Sequence, residues 1–360
     1  MLEREDSLQL EEIENERLAK ATYMDDKTTW HQGLGTGDAV PKYLRVAGPV
    51  RRRVLSKRQT EAIVREVWHM KKAYDRQHGA TSRLADYFYT YLSLKHGATT
   101  ALQEWGYSLT EALKAFRYDA DIYLFDLILS GEVSEDVYDD QRQMVAKLMD
   151  ACAQQDTKKT GTISRRDFIR VLLRQFPGKP KAHLRALDRS LEQVAKESGV
   201  VHYVKLFEED RDGDQGPFAE ALRDQQLQEI MQLHKEMKDA LEREGAGEAL
   251  TAAQVRRALL SVDRKLPRKE VNQILEDVFA LPWKRIGKRT ADAQHVIRTI
   301  KSKGVHKRHS RKANDDGVGA HEDYEADMAE ADNEVRPADD DPDDDDESDA
   351  ADTPAPGTTN

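Results

Sequence analysis

Between Asp156 and Asp167 the chain places oxygen-bearing side chains at intervals suited to surrounding a hard cation: Asp156 first, Thr160 fifth, Thr162 seventh, Ser164 ninth and Asp167 twelfth. Calcium takes about six to eight oxygen ligands, and loops that supply them carry a glycine sixth for the sharp turn and an apolar residue eighth. Gly161 and Ile163 meet those two needs. Two positions oppose the chemistry. Lys158 puts an ammonium third, where an anionic oxygen belongs, and Asp167 lacks the extra carbon of the bidentate Glu usual at position twelve. The expectation is a weak or vestigial calcium loop, with calcium the only cofactor the residues suggest.

Such a loop works only between two helices, and the flanks have helical spacing. Leu148, Ala151 and Cys152 lead in, and Phe168, Leu172 and Leu173 lead out, which makes Met144–Phe176 a helix–loop–helix unit of EF-hand type. The spacing recurs. Leu184, Leu187 and Leu191 approach a turn at Ser198–Gly199, followed by Val201, Tyr203 and Leu206–Phe207, so that Val201 aligns with Ile163 as the residue able to pair two loops. Its ligand positions are lost, since Val194 falls first and Lys205 twelfth. A fainter copy runs from Met237, Ala240 and Leu241 through Gly245-Ala-Gly247 to Leu250, Val255, Leu259 and Leu260, and a helix from Val271 to Phe279 completes the set. Asp210-Arg-Asp212-Gly-Asp214 alternates carboxylates, but Pro217 at position eight and Ala221 at twelve make it an acidic linker rather than a cation loop.

Upstream, Ser56-Lys-Arg-Gln59 forms a capping box that starts a helix with Ile63, Val67, Met70 and Tyr74 on one face. A second helix carries Leu84, Tyr87, Phe88, Tyr91 and Leu92 and ends at Gly97; a third carries Leu102, Trp105, Leu109, Leu113 and Phe116. A fourth is capped by Asp119, carries Leu124, Phe125 and Ile128, and stops at Gly131. Four amphipathic helices rich in aromatics can bury a common core. From Ala21 to Gly48 helix signals vanish, and Gly33, Gly35 and Gly37 lack the flanking strand and helix of a phosphate loop. The segment reads as an extended arm in which Trp30 and Tyr43 are partner-binding aromatics, buried only when a partner orders it.

Composition separates the ends from the middle. With 38% hydrophobic and 34% charged residues, the chain suits long solvated helices flanked by disorder. Residues 315–360 hold nineteen Asp or Glu against the single Arg336, so the remainder is basic although the whole carries −11. Basic residues concentrate between Lys284 and Lys312, opposed only by Asp292. The lone Cys152 excludes disulfide staples and suits a reducing compartment; no apolar run is long enough to span a bilayer. No nucleophile elbow, kinase signature, phosphate loop or Cys–His cluster occurs, so an enzyme is not expected.

Val40-Pro-Lys-Tyr-Leu-Arg45, Val50-Arg-Arg-Arg-Val-Leu-Ser-Lys-Arg58, Glu66-Val-Trp68, Phe116-Arg-Tyr-Asp-Ala-Asp121 and Gly131–Tyr138 resemble the family of translin-associated factor X-interacting protein 1 and related ciliary proteins. The resemblance covers residues 40–280 and implies a helical block placed before degenerate EF-hand-like helices, a cilium or flagellum, and a non-enzymatic role. Its motifs are structural, so it assigns no site residue. The expected organisation is all-α: an N-terminal arm with a short helix (1–39), a helical domain (40–140), EF-hand-like helix–loop–helix pairs (141–281), a basic segment (282–314) and a disordered acidic tail (315–360). The expected function is a structural adaptor of the ciliary or flagellar axoneme, binding axonemal and microtubule-associated proteins and no membrane. Two alternatives are a calcium-responsive regulator acting through the Asp156 loop and a nucleic-acid-associated adaptor using residues 284–312, the latter disfavoured.

Overall fold

In the computed structural model, which describes residues 23–24, 29–195, 199–210, 215–245, 249–303 and 305, the protein is mostly helical, with six strands of two residues each. The expected all-α class is correct. The first helices begin and end where their caps direct. Ser56 and Gln59 form the capping box of α1 (Lys57–His78), which stops at Gly79 in the left-handed region. α2 (Leu84–His96) ends at Gly97, and α3 (Thr99–Ala115) packs beside it. Asp119 accepts hydrogen bonds from the N–H groups of Asp121 and Ile122 at the start of α4 (Ala120–Leu129). These helices bury one core. Val67, Phe88, Leu113, Ile122 and Phe125 are fully enclosed, and Phe125 meets the edges of Trp68 and Phe88 at centroid distances of 5.9 and 6.2 Å.

The segment preceding α1 is part of this core, which corrects the reading of a free arm. Strand β1 (Trp30–His31) pairs antiparallel with β2 (Val50–Arg51), and Gly35 bridges Val46. Between them a 3-10 turn at Lys42–Leu44 inserts Tyr43 and Leu44. Tyr43 meets the edge of Phe88 at 4.9 Å and is 5% exposed, so it is a core residue and not a partner anchor. The close approach depends on Gly106 of α3, where a Cβ would lie 2.5 Å from the Tyr43 carbonyl oxygen. Tyr107 ties the segment again, accepting from the Leu34 N–H at 2.7 Å and donating to the Leu44 carbonyl at 2.8 Å. Local spacing could not reveal this, because the partners of residues 30–51 lie on α2 and α3.

Beyond α4 the chain alternates helices with very short strands. α5 (Asp136–Gln155) leads through a loop to β3 (Ile163–Ser164) and α6 (Arg165–Gln175); α7 (Lys181–Ala195) leads to β4 (Val200–Val201) and a 3-10 turn at Lys205–Phe207. β3 and β4 pair antiparallel with Ile163 opposite Val201, the expected pairing. The pattern repeats with α8 (Pro217–Gly245), β5 (Leu250–Thr251), α9 (Ala252–Val262), α10 (Arg268–Phe279), β6 (Thr290–Ala291) and α11 (Ala293–Ser302). Here Leu250 stands opposite Ala291. The helix at Val271–Phe279 therefore does not complete the set; it enters a fourth helix–strand–helix unit formed by residues assigned to a basic segment. Val296, Ile297 and Ile300 form a helical stripe in that segment and are buried in the second core, while Arg298 between them stays outside.

α8 joins these parts. Near its start Phe218 meets Phe168 and Phe207 edge-on at 5.3 and 5.9 Å, linking it to the first bridged pair. Leu227 and Ile230 enter the first core, and Leu233, Met237, Ala240 and Leu241 enter the second. The expected N-terminal helix at Leu2–Lys20, the acidic tail, Ser198, Asp212, Asp214 and Lys307–Lys312 lie outside the described residues.

Two substitutions test this packing. Gly106→Ala is expected to destabilise the chain by about 1–3 kcal/mol, because the added methyl must displace the Tyr43 backbone. Ile230→Ala should cost about 2–5 kcal/mol, whereas Lys235→Ala on the exposed side of α8 should stay within about 0.5 kcal/mol. Urea unfolding followed by helical circular dichroism measures all three, and a silent Gly106→Ala would disprove the close contact.

Candidate functional site

The loop from Asp156 to Asp167 is built by the end of α5, two left-handed residues and the cap of α6. Asp156 ends α5, its N–H bonded to the Cys152 carbonyl at 3.0 Å. Lys159 and Gly161 take φ of 54° and 73°, which turn the chain back toward β3. The Asp156 carboxylate then organises the turn: it accepts from the Gly161 N–H at 2.7 Å, the Thr160 hydroxyl at 3.2 Å and, from the paired unit, the Tyr203 phenol at 3.3 Å. Burial pulls this carboxyl upward, but the N–H groups of Thr160 and Gly161, with the two hydroxyls, hold it below the ordinary aspartate range.

The other oxygens of the loop face one another. Thr160 and Thr162 share a hydrogen bond of 2.7 Å between their hydroxyls. Ser164 accepts from the Asp167 N–H at 3.1 Å as the N-cap of α6 and donates to the Asp167 carboxylate at 2.7 Å. Asp167 also faces Arg170 at 3.4 Å, and Lys158 is exposed at position three. The residues that sequence spacing marked are thus brought into one loop, but as two closed hydrogen-bonded groups rather than one converging set. Among the described residues no three His, Cys, Asp or Glu side chains are placed to hold a metal ion together. The donor set does not fit calcium: one carboxylate is committed to the turn, the other to a helix cap, and a cation occupies the third position.

Tyr203 is the member of this site that sequence reasoning read only as an apolar position. It reaches Asp156 because Ile163 pairs with Val201, which sets residue 203 beside the first loop. No local signal marks it. Trp30, by contrast, is 56% exposed as expected, held in β1 and close in sequence to the exposed Leu34.

Buried charges elsewhere join elements. Arg52 lies 2.9 and 2.8 Å from the two Glu111 oxygens and donates to the Tyr23 carbonyl at 3.0 Å, fastening the N-terminal segment to α3. Lys71, 2% exposed, reaches Asp75 at 2.6 Å and Glu135 at 2.5 Å, tying α1 to the start of α5. Arg223 of α8 pairs with Asp121 and donates to Gln141 at 3.0 Å. A cleft beside Trp68 and Tyr138, whose rings stack at 4.2 Å, is lined by Glu61, Asp119 and Asp121; Lys57 answers two of these acids at 2.7 and 3.1 Å. Cys152 is fully buried, and burial pushes its thiol up to about 12.

Two measurements follow from this geometry. Isothermal titration of the chain with calcium should show no binding in the range of about 0.1–10 µM used by sensor loops, and Lys158→Asp with Asp167→Glu should introduce binding. A wild-type dissociation constant below about 10 µM would contradict the assignment. At pH 8 the native chain should leave an aromatic disulfide reagent unreacted, while the urea-unfolded chain releases one equivalent, since Cys152 is the single thiol.

Among the described residues no helix is long and apolar enough to cross a membrane. No family model matches the chain, and no solved structure matches it. Over 252 residues, 69% of its length, the chain is 27% identical to translin-associated factor X-interacting protein 1 of Homo sapiens. It is 26% identical over the same length to the protein of that name from Mus musculus. The match covers 37% and 35% of those two proteins, so the chain spans little more than a third of the relatives it matches. Across that shared stretch the chain is homologous to translin-associated factor X-interacting protein 1.

Proposed function

We propose that the chain is a non-enzymatic adaptor that binds other proteins, and that it serves the axoneme of a cilium or flagellum. The observation that carries the reading is the homology to proteins named for an interaction with translin-associated factor X, across a stretch covering 69% of this chain. The axonemal placement rests on the resemblance of the helical block to ciliary proteins. We read the two bridged pairs as degenerate EF-hand units kept for packing. Their strand pairing joins two helix pairs around a common bridge, and the first loop spends its oxygens on its own turn. That arrangement supports a fixed scaffold rather than a calcium-driven opening.

The adaptor reading is tested by tagging the chain in ciliated cells and recovering its partners after mild crosslinking. Retention in detergent-extracted axonemes and co-purification of translin-associated factor X are the expected outcomes. A tagged chain that is released entirely with the detergent-soluble fraction would remove the axonemal placement, and failure of translin-associated factor X to bind the purified chain would remove that partner.

A further inference from the structure

The fourth helix–strand–helix unit carries a turn unlike the other three. Between α10 and β6 the sequence runs Trp283-Lys-Arg-Ile-Gly-Lys-Arg289, with four cations in six residues from Lys284 to Arg289. Ile286 is 2% exposed and anchors the turn in the second core, and Gly287 follows with φ of 61°. The chain therefore reverses around a buried side chain. Arg285 and Lys284 stand on one side of that anchor, Lys288 and Arg289 on the other, and all four are exposed. Backbone bonds hold the shape: Arg285 N–H to the Pro282 carbonyl at 2.7 Å and Arg289 N–H to the Ile286 carbonyl at 3.3 Å.

The acids nearest in sequence are committed elsewhere. Glu276 accepts from the Trp283 N–H at 3.0 Å, Asp277 lies 3.8 Å from Lys303, and Asp292 caps α11 through the N–H groups of Gln294 and His295. Among the described residues none of the four cations has a carboxylate within ion-pair distance. Fixing four like charges on a rigid turn costs repulsion that a complementary anion relieves.

We infer that the turn at Lys284–Arg289 is a docking surface for an acidic segment of a partner protein, a short stretch rich in Asp and Glu. Two arginines offer planar forks that match carboxylates in pairs, and the two lysines add point charges. A single-stranded nucleic acid fits less well, because the turn offers no stacking platform: its one aromatic, Trp283, is partly buried with the Lys284 ammonium 5.8 Å from its ring. This surface rests on the adaptor reading only in that its occupant is a protein; it does not require an axonemal partner.

The test is fluorescence anisotropy of a labelled ten-residue oligoglutamate peptide titrated with the full chain at about 50 mM salt. Binding is expected that weakens at least about tenfold by 200 mM salt, through screening of exposed charges. Lys288→Glu with Arg289→Glu should weaken it at least about tenfold. The pair Lys147→Glu with Arg166→Glu, exposed cations on α5 and α6, changes net charge equally and should leave it within about twofold. Thermal unfolding by circular dichroism should match for both variants, because every substituted side chain is exposed. The assignment is overturned by no binding of the peptide, by equal weakening in the two pairs, or by a single-stranded oligonucleotide of equal charge binding as tightly as the peptide. An axonemal protein absent from the tagged-cell experiment would leave this outcome untouched.

Discussion

The burial of α8 is the constraint on which the arrangement of the whole helical assembly depends. Most of a helix's stability in a protein comes from packing its apolar face, and α8, 29 residues long, has partners along nearly its full length. Each buried Phe, Leu, Ile or Met contributes about 1.5–3 kcal/mol. Phe218 and Leu222 lie at its start, Leu227 and Ile230 at its middle, and Leu233, Met237 and Leu241 toward its end, so one helix is buried against three successive packing environments. Arg223 adds a polar lock, because a buried guanidinium must find acceptors, and it finds them on Asp121 of α4 and Gln141 of α5. Helices that are distant in sequence are thereby set in register against the same rod.

The loop of the first bridged pair is closed by its own hydrogen bonds. In a metal loop the ion gathers carboxylates that would otherwise repel; in the loop at Asp156 the gathering is done by N–H and O–H groups around a single carboxylate. The phenol from the paired unit makes that closure depend on the strand pairing of Ile163 with Val201. Replacing the third ligand by Lys158 then costs nothing, since its ammonium points to water. The fourth unit is anchored differently, by the apolar Ile286, with cations in the outer positions.

The buried charges fix distant segments to one another. Arg52 with Glu111 and Lys71 with Glu135 each join segments separated by more than fifty residues, and burial raises the Glu135 carboxyl even beside Lys71. Removing one member of such a pair leaves an uncompensated buried charge, which makes these contacts specific for one packing. Cys152 belongs to the same scaffold: enclosed and protonated, it fills volume beside the loop rather than reacting.

Much of the local structure was legible from residue types alone. Ser56 with Gln59, Asp119 and Gly97 mark helix ends through hydrogen bonds made within a few residues, and the 3.6-residue spacing of Leu, Phe and Tyr marks their buried faces. Ile163 and Val201 could be matched because two copies of one spacing put them at equivalent positions. What the sequence by itself could not decide was which surfaces meet. Tyr43 looked like an arm residue until Gly106, sixty-three residues later, let its backbone close on α3; Tyr203 looked like core until strand pairing aimed its hydroxyl at Asp156. The apolar stripe Val296, Ile297 and Ile300 was hidden among cations whose charge dominates composition but whose side chains point outward. Local hydrogen bonding and periodicity are written in neighbouring residues, whereas close approach and the sharing of one helix between two cores exist only once distant segments exclude water together.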